Sequence, residues 1–152
     1  MLIDSNLYGI SQNPDTKDYI IVLPIENCKK CHKDYTDVGN KWCKPCQINN
    51  FKENFTSWTS ENEKIDNFIQ EMQLKINSSL DKVFEWIQYD QFDDIKEVGQ
   101  GGVATVYSAI WKDGPLDYDK DNEEYTRESN KKVALKLLHN SQNISNGFLN
   151  EV

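Results

Sequence analysis

The chain has 152 residues, 28 % of them charged and 38 % hydrophobic, with 25 acidic residues against 17 Lys and Arg and a net charge of −8. Four Trp, seven Tyr and six Phe exclude a disordered chain, which is poor in aromatics. The acidic balance argues against a whole-chain binder of nucleic acid or anionic membrane, and no apolar run approaches the roughly 18 residues of a membrane span.

The first residues carry neither a basic stretch nor a long apolar stretch, so they do not read as a secretory signal. A reducing, cytoplasmic or nuclear location is therefore expected, where cysteines serve as thiols or metal ligands rather than disulfides. Residues Tyr8 to Leu23 read as strand, turn and strand, with Asn13, Pro14, Asp15 and Thr16 as the turn.

All four cysteines follow in two C-x-x-C pairs, Cys28 with Cys31 and Cys43 with Cys46. Each pair puts two sulfurs on one side of a tight turn, and two such turns close a tetrahedral S₄ site for structural zinc. Gly39-Asn40 supplies a turn between them. Tyr35 and Val38 are expected to cover the metal on one side and Trp42 on the other. His32 is a further possible ligand, although four cysteines already satisfy zinc. Six lysines against four acids over residues 24–58 give a basic tilt too weak for nucleic acid. A knuckle that contacts protein is the expectation, with the metal supplying the folding free energy and its removal sparing the rest of the chain.

Ile65, Ile69, Met72 and Ile76, widened by Phe68, predict an amphipathic helix over 61–76, capped by Ser60 with Glu63. The aromatic stretch with Phe84, Trp86 and Tyr89 is expected to anchor the connector onto the next domain. Beyond residue 91, Phe92, Ile95 and Val98 lead into Gly99, Gly101 and Gly102, after which Val106, Ser108 and Ile110 alternate with Tyr107 and Ala109 as a strand does. Glycines between two strands are neither a dinucleotide fingerprint nor a Walker loop. They can turn N–H groups onto phosphate oxygens. Val133, Ala134, Leu135 and Lys136 form a second apolar strand, ending in a lysine expected to face inward toward an anion. The acidic stretch 113–132 lacks the central glycine of a calcium loop, so calcium is rejected and a solvated, extended hairpin loop is expected.

Residues Val98 to Tyr107, followed by Val133 to Lys136, resemble the start of a eukaryotic protein kinase domain. The resemblance covers 91–152. Gly99, Gly101 and Val106 match the family's first two glycines and its valine, and Ala104 replaces the third glycine. It implies that Val98, Gly99, Gly101, Ala104, Val106, Ala134 and Lys136 bind ATP. It also implies that Lys136 holds the α- and β-phosphates and that Glu151, at the start of the αC helix, pairs with Lys136. The hairpin at residues 8–23 is similar to the one that follows αC in kinases, displaced here to the front as a remnant, or folded back to complete the sheet in permuted order. The catalytic loop and the Asp-Phe-Gly and Ala-Pro-Glu motifs are absent from the sequence.

The expected architecture is α+β: a hairpin over 1–24, a C4 zinc-ribbon-like segment over 25–58, a helical linker over 59–90 and a truncated kinase small lobe over 91–152. The function implied by resemblance is ATP binding, ancestrally with Mg²⁺ and phosphoryl transfer to protein hydroxyls. The alternative is a catalytically dead, zinc-stabilised protein-interaction module. The partners expected are ATP and a protein, with no nucleic acid and no membrane.

Overall fold

The computed structural model describes residues 7–143, 146–150 and 152. The fold is mixed α+β, with three small antiparallel sheets and few helices. No helix among the described residues is long and apolar enough to cross a membrane.

Strands β1 (Gly9–Gln12) and β2 (Tyr19–Val22) pair with each other and, among the described residues, with no other strand. Asn13 caps the turn as expected, its side-chain oxygen accepting from the amides of Asp15 (2.9 Å) and Thr16 (3.3 Å). The hairpin therefore does not complete the larger sheet, which rules out the permuted arrangement. A bridge between Asn27 and Asp34 and another between Asp37 and Trp42 organise the cysteine segment. That segment runs into α1 (Lys44–Asn54), a helix the hydrophobic pattern did not reveal. Its buried positions are Gln47 and Phe51, so only one of them carries an apolar signature.

Helix α2 spans Glu63–Leu74, shorter at both ends than the apolar spacing suggests. Asn62, not Ser60, is its N-cap: the Asn62 side-chain oxygen accepts from the amides of Lys64 (3.0 Å) and Ile65 (3.3 Å). Ser60 instead donates to Asp66, one turn into the helix. Replacing Asn62 by Ala removes the acceptor for two orphan donors and should cost about 1 kcal/mol, read as a lower urea midpoint at unchanged slope. Ile76, 3 % exposed, is buried beyond the helix end.

The connector folds back as well as forward. Phe84 stacks edge-on against Phe68 of α2 at 5.6 Å, and the Gln73 amide donates to the Phe84 carbonyl (2.8 Å).

The main sheet has the order β3 (Phe92–Gln100), β4 (Ala104–Trp111), β7 (Lys131–Leu138). Between β4 and β7 is inserted a separate hairpin, β5 (Leu116–Asp119) with β6 (Glu124–Arg127). This insertion is not the solvated loop its acids suggested. Tyr118 and Tyr125 sit opposite each other on it, and both pack against the buried cluster formed by Trp42, Phe51 and Ile76. Trp42 is fully buried at the centre of that cluster. The Trp42 indole N–H donates to the Tyr125 hydroxyl (3.3 Å), and the Tyr118 hydroxyl donates to the Lys41 carbonyl (2.7 Å). Arg127 grips Glu85 through two nitrogens at 2.6 and 2.7 Å. The cysteine segment, the connector and the insertion thus share one core.

Candidate metal centre and the glycine-rich turn

The sulfurs of Cys28, Cys31, Cys43 and Cys46 all lie within 4.8 Å of one another. The near pairs cross between the two turns: Cys28 with Cys46 at 3.8 Å and Cys31 with Cys43 at 3.7 Å. A zinc ion with sulfurs at about 2.3 Å has tetrahedral edges of about 3.8 Å, whereas a disulfide needs about 2.0 Å. The spacing is that of four ligands around one ion, and the cluster can hold a metal such as zinc.

Local structure explains the convergence. In the first turn the Cys28 amide donates to the Lys33 carbonyl (2.8 Å) and the His32 amide to the Cys28 carbonyl (2.8 Å). His32 occupies the left-handed region at φ 61°, and its side chain is exposed outside the sulfur cluster. In the second turn Cys43 is the N-cap of α1, Pro45 lies in the helix's first turn, and Cys46 follows within it. The Cys46 backbone N–H there favours the Cys43 thiolate, an effect that burial outweighs. Between the turns, Asp37 accepts from the Asn40 amide (3.2 Å) and side chain (2.7 Å), closing the Gly39-Asn40 turn. Those bonds hold the Asp37 carboxyl below its ordinary range.

Tyr35, 7 % exposed, packs on Cys28 and Cys43 as expected. Val38 does not cover the site; it is 58 % exposed. Trp42 faces the core shared with the insertion rather than capping the sulfurs. The thiols differ sharply. The backbone N–H of Lys33 beside its sulfur holds Cys31 down at about 7. Burial pushes the thiols of Cys43 and Cys46 up. Four thiolates at this spacing repel one another without a cation between them, which is what a divalent ion supplies.

The second candidate site is the turn from Gly99 to Ala104, closed by the Gly101 amide donating to the Ala104 carbonyl (2.8 Å). Val106 pairs with Gly99 on one side and Lys136 on the other, and Ser108 pairs with Ala134. Side chains alternate along a strand, so Val106, Ala134 and Lys136 share one face of the sheet. Val98 is the extra residue of a β-bulge and is 63 % exposed. Ala104 is buried.

Lys136 departs from expectation: its side chain is exposed, and it makes no hydrogen bond or ion pair among the described residues. Alternation assigns the face it occupies, but its side chain is exposed there, so no burial forces an anion upon it. Helix α3 (Asn146–Asn150) forms near the expected αC start, while Glu151 lies outside the described residues.

His139 was missed by sequence reasoning. Its amide donates to the Val103 carbonyl (3.0 Å), and its ring nitrogens lie 2.9 Å from the Thr105 hydroxyl and 3.4 Å from the Gly102 carbonyl. It ties the glycine-rich turn to the end of β7. The sequence held no signal of this: it follows from the register, in which Ala104 pairs with Leu138 and the residue after β7 comes beside Val103.

Comparisons with protein-family models, curated proteins and solved structures return no significant match for this chain.

Proposed function

We propose that this chain is a metal-stabilised module built on the leading strands of a protein-kinase-like small lobe, whose glycine-rich turn and Lys136 take the phosphates of ATP. The pairing register carries this reading: Val106, Ala134 and Lys136 share a face beside Gly99. By resemblance, Ala134 would line the adenine pocket and Lys136 would hold the α- and β-phosphates, with Val106 matching the family's valine beside the turn. The glycines add support. A side chain at Gly99 or Gly102 would meet nothing within 4 Å, and neither residue has a positive φ. The fold itself does not require glycine there, whereas a phosphate approaching the backbone N–H groups does. The exposed ammonium of Lys136 is available to such a ligand.

Phosphoryl transfer needs a catalytic base and metal-binding acids. The sequence lacks the motifs that supply them, so the activity proposed for these 152 residues is binding. With half a cleft, a Kd of about 1 mM is expected, equivalent to about 4 kcal/mol. Titration of Mg·ATP followed by amide chemical shifts tests this. Wild type should saturate, with shifts centred on Gly99–Ala104, and Lys136→Ala should weaken binding roughly tenfold through loss of a charge-assisted contact. Absence of saturable binding at several millimolar overturns it.

A second reading is a zinc-stabilised protein-interaction module whose kinase-like strands are vestigial. It is favoured by the open setting of Lys136 and by the core that joins the cysteine segment to the insertion. ATP-independent folding and no ATP-induced shifts would select it.

A further inference from the structure

The β1–β2 hairpin exposes an apolar face. Side-chain alternation and the pairing of Ile10 with Ile21 and Gln12 with Tyr19 put Tyr8, Ile10, Tyr19, Ile21 and Leu23 on one side. Their exposures are 75, 77, 78, 61 and 55 %. On the opposite face Ile20 and Val22 are less exposed, at 45 and 39 %. An isolated two-stranded hairpin is marginal in water, so this one gains from a cover.

We infer that the cover is a second copy of the chain, with the two hairpins stacked face to face. The area supports it. Taking roughly 200 Å² for a fully exposed large side chain, the face presents roughly 700 Å² per copy. That exceeds the largest apolar patch on many monomers. Two copies together bury about 1,400 Å², within the range of specific, stable interfaces. The charges are compatible with self-association despite the net −8: Asp15, Lys17 and Asp18 sit in the turn, and among the described residues the face adds to the two tyrosine hydroxyls only the uncharged amide of Gln12.

Edge-to-edge pairing is the less favoured geometry for the larger sheet. Its outer strands carry Asp93, Asp94, Lys96 and Glu97 on β3 and Lys131, Lys132 and Lys136 on β7, and charges of this kind block strand addition. β2 carries no charge.

Sedimentation velocity on the full chain, with zinc and a phosphine reductant to exclude intermolecular disulfides, tests the inference. A reversible, concentration-dependent dimer is expected. Ile10→Asp, which sets a charge into the stacked face, should weaken dimerisation at least tenfold, with metal content and circular dichroism unchanged. Ser11→Lys, on the opposite face, should leave the dimer intact and controls for loss of the hairpin itself. A monomer at every concentration overturns the inference. So does a dimer insensitive to Ile10→Asp, or equal loss from both variants. A heteromeric complex through this face, with the chain alone monomeric, also overturns it.

Discussion

Removing zinc is expected to unfold the cysteine segment and, with it, to release the hairpin inserted between β4 and β7. Around the sulfurs the buried cluster consists of Cys28, Tyr35 and Cys43, with Cys31 and Cys46 against it. That is too little apolar surface to order the loops alone, and structural zinc contributes about 10–16 kcal/mol in small zinc-binding peptides at neutral pH. The damage should not stop there. Trp42 directly precedes Cys43, one of the four clustered cysteines, and lies fully buried in the core shared with the insertion. The Lys41 carbonyl receives the Tyr118 hydroxyl at 2.7 Å. Once the second turn lets go of the metal, both anchors of the insertion move with it. Purified protein should therefore carry about one zinc per chain, the count that a four-ligand site accepts. Chelation should shift tryptophan emission to the red and lower Tm by roughly 10 °C or more. Cys43→Ser should reproduce both changes. A chain without bound zinc, or one whose emission and Tm survive chelation, sinks the metal-centred account. A chain that loses only the cysteine segment sinks the shared core.

That coupling is what the sequence hid, and the reason is physical. The paired C-x-x-C motifs were legible because ligand spacing is local and covalent. The strands around the glycines were legible because alternation is local too. The insertion was misread because its acids announce solvent, while its half-buried pair, Tyr118 with Tyr125, packs on the cluster of Trp42 from more than seventy residues away. Helix α1 was missed because half of its buried pattern is Gln47, a polar side chain whose amide donates to the Glu123 carbonyl (3.4 Å). The α2 start was displaced because Ser60 and Asn62 both suit a cap, and Glu61, at φ 66°, turns the chain between them. For Lys136, alternation assigns a face but does not say whether another element covers it.

Replacing Gly114 by Ala is expected to be among the most damaging single changes outside the metal site. Gly114 has φ +71°, and a Cβ there would lie 1.8 Å from the Glu128 carbonyl oxygen and 2.6 Å from its carbon. Both are backbone atoms, so no side chain can swing away. The crowding arises because this is where the insertion leaves and rejoins the sheet. The Glu128 amide donates to the Pro115 carbonyl (3.0 Å), the Asn130 amide to the Lys112 carbonyl (2.9 Å), and Arg127 to the Gly114 carbonyl (3.0 Å). Left-handed strain and forced separation of the two chains together cost roughly 2–5 kcal/mol, a fall in Tm of roughly 5–15 °C. Gly99→Ala and Gly102→Ala are the counterpart, since each enters open space without positive φ. They should change stability by no more than about 0.5 kcal/mol while weakening ATP. The three variants therefore separate a glycine the fold needs from glycines a ligand needs. A Gly114→Ala protein melting within a degree or two of wild type refutes the first assignment, and ATP affinity unchanged in Gly99→Ala and Gly102→Ala refutes the second.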